Sequence, residues 1–301
     1  MRVIAWGDAM TKTRKIVLAT AAVLILVLGG GFYFINNAAI GIPAFLVWKA
    51  LSSQSHGGQY AQINGVRIYY ETYGEGPPVL VLHGGTAFIE TMHYQISALA
   101  KDHLVIAPDS RGHGRSTDGE GPLHYTQMAD DMVKLMDLLK IEKADVVGWS
   151  DGGNIGLILA MQHPDRVGRV VTSGANFNFA GLSHPPKLDA DPEGKEVAPV
   201  RDFYKRLAPD PAHWPVFYRK VLAMWSSEPN YTVADLATIK APVLVMAGEH
   251  DGIKRAHTDA MAKAIPDGRE YIVAGASHFV PVEKPDEVNA EIAAFLATPT
   301  P

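Results

Sequence analysis

Gly148-Trp149-Ser150-Asp151-Gly152 follows directly on the apolar run Ala144-Asp145-Val146-Val147 and leads into an apolar helical stretch from Gly153 to Gln162. A serine between glycines at a strand-to-helix turn is forced into a backbone conformation that only small neighbours permit. Its hydroxyl is then pushed out above the sheet edge. The helix beginning there aims free N–H groups and a positive dipole end at any charge that develops nearby. The bland alternative is a glycine-rich turn with an incidental serine. Strand before and helix after favour a nucleophile.

The chain has 301 residues, enough for a leading segment and one large single-core domain. It contains no cysteine, which excludes disulfides, a thiolate nucleophile and cysteine-ligated zinc. Net charge is −5, but the first fifty residues carry Arg2, Lys12, Arg14, Lys15 and Lys49 against Asp8. The remainder is therefore acidic and a poor partner for nucleic acid.

Ile16 to Ile35 is a run of twenty residues without a charge, preceded by Lys12, Arg14 and Lys15. As a helix it rises about 30 Å, the thickness of a hydrocarbon core. The expected reading is a signal anchor, with residues 1–50 as transmembrane and juxtamembrane segment. The basic flank stays cytoplasmic and the following domain lies on the periplasmic or extracellular side. A cleaved signal peptide with a secreted product, or a buried core helix, are the alternatives, and Met10 is an alternative start. A second apolar patch, Ala38 to Trp48, is broken by Gly41 and Pro43. It is too short to span and belongs at the membrane interface or against the domain.

After a polar linker (51–58), strand and helix patterns alternate through a domain spanning 59–301. Tyr60–Ile63 and Val66–Tyr73, split by Asn64-Gly65, predict a hairpin. Strands follow at Val79–Leu82, Leu104–Ala107, Asp145–Val147, Val167–Thr172, Pro242–Ala247 and Tyr271–Val273. Helices are expected at Tyr94–Ala100, Tyr125–Leu139, Arg255–Ile265 and Glu287–Leu296. Such alternation predicts an α/β fold with a mostly parallel sheet covered on both faces. Residues 176–238 interrupt it with Pro185-Pro186, Pro192, Pro199, Pro209, Pro211 and Pro215, and with helical pieces near Val200–Leu207 and Trp214–Trp225. So long a stretch reads as an inserted cap over the carboxyl ends of the strands.

Sites in open α/β sheets lie at those ends. Asp251 follows the Pro242–Ala247 strand and His278 follows the next, giving the order Ser, Asp, His. His278 would accept the Ser150 proton and Asp251 would fix the imidazole tautomer. Glu249 and His250 are competing neighbours, and Asp251 could merely cap a turn. Oxyanion donors are expected from the N–H of Asp151 and from His83-Gly84-Gly85-Thr86, with Gly85 first and Thr86 second.

His83-Gly84-Gly85, Asp109-Ser110-Arg111-Gly112-His113-Gly114-Arg115-Ser116, the elbow and Gly275-x-x-His278 together resemble the α/β-hydrolase superfamily over roughly residues 60–298. The elbow with His163-Pro164 and Ser173-Gly174-Ala175-Asn176 is similar to the biphenyl hydrolase-like and valacyclovir hydrolase branch. The resemblance implies an eight-stranded sheet flanked by helices and a serine esterase without cofactor or metal, acting on small carboxylic esters. A C–C bond hydrolase or enol-lactonase, a perhydrolase and a non-catalytic receptor on the same fold are alternatives. Trp149 and Asp151 are candidate substrate contacts, Asp151 for a substrate amine, although a carboxylate is favourable at any helix N-terminus. Arg111 is expected to bridge loops. Substrate and oligomeric state are not legible.

Overall fold

Val146 and Val147 are adjacent in sequence but belong to opposite cores, as the two-residue period of a strand requires. Leu80 and Leu82 likewise face one side while Val79 and Val81 face the other. Strands buried on both faces read as continuous apolar runs, and their presence here dictates helices on both sides. The computed structural model describes residues 42–51 and 55–298.

Eight strands form one sheet: β1 (Ser55–Ile63), β2 (Val66–Tyr73), β3 (Pro78–Leu82), β4 (Leu104–Pro108), β5 (Ala144–Trp149), β6 (Val167–Ser173), β7 (Val243–His250) and β8 (Gly268–Ser277). Their spatial order is β1-β2-β4-β3-β5-β6-β7-β8. β2 pairs antiparallel with β1 and β4; every other pairing is parallel. Asn64 and Gly65 both hold positive φ, 46° and 78°, which gives the two-residue hairpin its matching twist.

On one face pack the helices Tyr125–Leu138 and Asp151–Gln162. Gly156 brings the second close to the sheet, since a Cβ there would stand 3.1 Å from Val146. The opposite face carries helices His93–Leu99 and Pro285–Leu296 and the helical residues 42–51. The chain between β6 and β7 forms a cap with helices Ala198–Leu207 and Trp214–Trp225, the latter packing Trp214, Phe217, Val221 and Leu222 inward.

Two differences from the sequence expectations concern boundaries. β1 begins at Ser55, inside the stretch expected as linker, because Ser55 pairs with Tyr73 across an irregularity at Gly58. β8 is longer than Tyr271–Val273. Its outer residues Glu270, Ala274 and Gly275 are exposed, so no apolar run marks its ends. The described part of the patch expected at the interface or against the domain belongs to helix 42–51, which packs on the domain through Phe45. The expected span 16–35 lies outside the described residues. Among the described residues no helix is long and apolar enough to cross a membrane.

Candidate active site

Ser150 ends the turn from β5 into helix Asp151–Gln162 with φ 53° and ψ −118°. A non-glycine residue in that region carries about 1–3 kcal/mol of strain and persists only where its surroundings over-determine it. Two glycines supply the room. A Cβ on Gly148 would stand 2.3 Å from the Gly152 carbonyl oxygen, and one on Gly152 would stand 2.2 Å from that of Leu82. The Ser150 N–H donates to the Ser173 carbonyl at 2.7 Å, which ties the elbow to β6.

The three residues expected from strand order come together. Ser150 Oγ lies 3.0 Å from His278 Nε2, and His278 Nδ1 lies 2.8 Å from Asp251 Oδ1. Asp251 also accepts the Ile253 N–H at 2.9 Å, fixing its carboxylate. Glu249 turns away and accepts the Gly275 N–H, and His250 is exposed. Burial disfavours the His278 cation, but the bond and charge of Asp251, with Asp151 and Glu283 further off, outweigh it and raise its pKa above the ordinary imidazole value.

The loop expected to hold the second oxyanion donor runs against the elbow. A Cβ on Gly84 would stand 3.2 Å from Ser150 Cβ, and one on Gly85 would stand 2.3 Å from Asp151 Oδ2. Thr86 holds φ 56°, and its hydroxyl donates to the Gly85 carbonyl at 2.7 Å. Asp151 opens its helix, so its N–H belongs to the first-turn donors that have no intrahelical acceptor. His83 anchors this loop: its Nδ1 donates to the Gly84 carbonyl at 2.7 Å and its Nε2 accepts the Ser110 N–H at 3.0 Å.

Ser150, Asp151 and His278 face a cavity of about 700 Å³ closed over by Leu182, Leu222 and Trp225 of the cap. The Asp151 carboxylate accepts from Tyr125 Oη at 2.7 Å and from Trp225 Nε1 at 2.9 Å. Burial raises its pKa, and the two donors offset that only in part. Neither partner was legible in the sequence. They lie 26 and 74 residues from Asp151, at the start of one helix and the end of another, and only the docking of the cap joins them.

Two further residues fall elsewhere. Trp149 is buried outside the cavity lining, with its indole N–H donating to the His278 carbonyl at 2.8 Å and its ring against Phe279. Its place is beneath the histidine loop, because side chains alternate across β5 and its own points to the face away from the cap. Arg111 forms a two-point pair with Asp131 at 2.6 and 2.8 Å, so it bridges the β4 loop to helix Tyr125–Leu138. Glu283 also lay outside the sequence reading. It accepts the Ser277 N–H and hydroxyl at 2.7 and 2.8 Å and so pins the loop that presents His278.

A serine hydroxyl, an imidazole and a carboxylate bonded in series at one sheet edge are an arrangement that suits acyl transfer. The sequence model for the alpha/beta hydrolase fold matches residues 77–210. The chain is 30% identical over 271 residues to RutD of Caulobacter sp. (strain K31), a proposed carbamate hydrolase, an alignment covering 76% of this chain and 96% of that protein. It is 28% identical over 255 residues to the human serine hydrolase BPHL, covering 78% of this chain and 84% of that one. The enol-lactonase of Burkholderia xenovorans LB400 superposes with a TM-score of 0.67 at 25% identity, covering 80% of this chain and all of that one. The chain belongs to the alpha/beta hydrolase fold family and is a hydrolase.

Proposed function

We propose that the chain hydrolyses small carboxylic esters through an acyl-enzyme on Ser150. The observation that carries this is the unbroken relay Ser150–His278–Asp251, with contacts of 3.0 and 2.8 Å, opening into the capped cavity. Ser150 Oγ attacks the carbonyl carbon as its proton passes to His278 Nε2. The oxyanion is held by the N–H groups of Asp151 and Gly85, each such donor being worth about 3–4 kcal/mol in the transition state. The tetrahedral adduct collapses, and the departing alkoxide takes the proton from His278. Water then attacks the acyl-enzyme by the same route, releasing the acid and Ser150.

Active-site labelling with a fluorophosphonate is the direct test. Wild type should label and Ser150→Ala should not; folded wild type that fails to label overturns the mechanism. The similarity to an enol-lactonase favours a second reading on the same relay, the opening of a cyclic enol ester. Turnover of an enol-lactone without turnover of simple esters would select it.

The Asp151 carboxylate supports a narrower substrate class. It lines the cavity beside Ser150 and its bonded partners are neutral donors, so a cationic substrate group would supply the charge partner that favours its ionised form against burial. Aminoacyl esters fit that description. Asp151→Asn should lose more on an aminoacyl ester than on its neutral counterpart, and equal losses would refute it. The apolar run 16–35 is read as an anchor, with the catalytic domain on the non-cytoplasmic side. Protease added from the cytoplasmic face should leave the domain intact.

A further inference from the structure

Helix 42–51 has two faces of different kinds. Phe45, Trp48 and Lys49 share one face and clamp it to the domain. Phe45 is buried and packs at 5.4 Å from Trp48, 6.1 Å from Tyr73 and 5.8 Å from His93. Lys49 pairs with Glu71, a carboxylate on β2 with no exposed surface. The opposite face, an arc of roughly 160° at 100° per residue, holds only Pro43, Ala44, Leu46, Val47, Ala50 and Leu51. Leu46 is 47% exposed, Val47 58% and Leu51 82%.

A helix packed on one side only should carry polar residues on the other. This one carries none, although Lys49, its single charged residue, is available and is turned inward instead. A contiguous apolar face of that kind marks a contact with an apolar medium. The six residues 36–41 that separate the helix from the apolar run 16–35 reach at most about 21 Å when extended, so the helix cannot stand far from wherever that run sits.

We infer that helix 42–51 lies in the interfacial plane of a phospholipid bilayer, with Leu46, Val47 and Leu51 set among the acyl chains, and that it fixes the hydrolase domain against that surface. The inference rests on the reading that residues 16–35 span the bilayer. Helices that lie in this plane bury their apolar face about 5–10 Å into the boundary between headgroups and acyl chains. The Lys49–Glu71 pair and the Phe45 cluster make the helix part of the domain, so lipid contact sets the domain's orientation instead of leaving it on a tether.

The chain has no cysteine, so single introduced cysteines report without background. Full-length protein is reconstituted in phosphatidylcholine/phosphatidylglycerol vesicles with a nitroxide at Leu51→Cys, Val47→Cys, Ile25→Cys or Glu120→Cys, and collisions with oxygen and with an aqueous nickel chelate are compared. Labels at 51, 47 and 25 should favour oxygen, and the exposed label at 120 should favour nickel. If 25 favours oxygen while 51 and 47 favour nickel, the anchor stands and the docked helix is refuted. Shielding of 51 and 47 from both reagents means that protein covers the face, which also refutes it. If 25 favours nickel as well, the anchor reading fails and the docking falls with it.

Discussion

At Ser150 the backbone strain and the proposed chemistry have one origin. The φ of 53° lifts the hydroxyl to His278, and glycines 148 and 152 make that φ attainable. His278 acts as a base only when neutral. Its pKa lies above the ordinary imidazole value, so kcat/KM should rise with pH through an apparent pKa above about 6.5 and be lost below it. Asp251→Asn removes the anion that raises that pKa and the acceptor that sets the tautomer. It should lower kcat by about 10⁴-fold and move the acid limb downward. A pH–rate profile of both proteins decides this, and an acid limb that does not move assigns the base elsewhere. Gly85 offers a second residue-scale test. A Cβ there meets Asp151 Oδ2 at 2.3 Å and Trp225 at 2.4 Å, whereas one on Gly121 meets nothing within 4 Å. Gly85→Ala should therefore cut kcat by about 10²-fold or more while Gly121→Ala leaves it unchanged. Equal kinetics for the two variants would show that the loop approaches the elbow without serving it.

At the scale of elements, what could be read from sequence was whatever a local period encodes. β3 to β7 were placed within a few residues because strands buried on both faces are short apolar runs bounded by polar ones. Ser150 was read from the glycine-flanked turn between strand and helix, and Asp251 and His278 from the order of the strands that precede them. The one-turn helix Val280–Glu283 and the Val233–Leu236 turn were not legible, being too short for a 3.6-residue period to register. Helix 42–51 was not legible as a helix either, since Gly41 and Pro43 read as breaks, yet Pro43 falls in its first turn, where proline is tolerated. Its attachment has a measurable consequence. Glu71 is held below the ordinary carboxylate pKa: burial alone would raise it, but Lys49, Tyr69 and Tyr73 together prevail. Lys49→Met leaves that carboxylate buried without its cation. Because Lys49 is partly exposed, the loss should fall toward the lower end of about 3–5 kcal/mol, read from urea midpoints. Glu71→Gln added to Lys49→Met should recover part of it. A loss below about 1 kcal/mol for the single variant would mean that the helix is held by Phe45 and Trp48 alone.

For the molecule as a whole, the cap meets the sheet edge across two histidines kept neutral by burial. His83 follows β3 and His113 follows β4, with ring centres 5.3 Å apart, and Phe217 of the cap stands edge-on to His113 at 4.8 Å. Burial pushes the His83 pKa down to about 4 and that of His113 down to about 3, the nearby His83 adding to the shift in His113. The unfolded chain would bind both protons near pH 6.5, while the native state refuses them until far lower pH. Stability is therefore fully present above pH 6.5 and is lost as pH falls through that value toward 4 and 3. Each histidine accounts for on the order of 3–5 kcal/mol over its whole window, and about 2 kcal/mol between pH 7 and 5. Burial also pushes the His257 pKa down to about 4, so the clean quantity is a difference between proteins. His113→Asn keeps a donor for the Arg111 carbonyl, which His113 Nδ1 reaches at 2.9 Å, and removes the titrating ring. It should unfold more easily than wild type at pH 7, because packing against Phe217 is lost. It should also lose about 2 kcal/mol less than wild type between pH 7 and 5. Parallel losses in the two proteins would place the acid sensitivity outside the seam between cap and sheet.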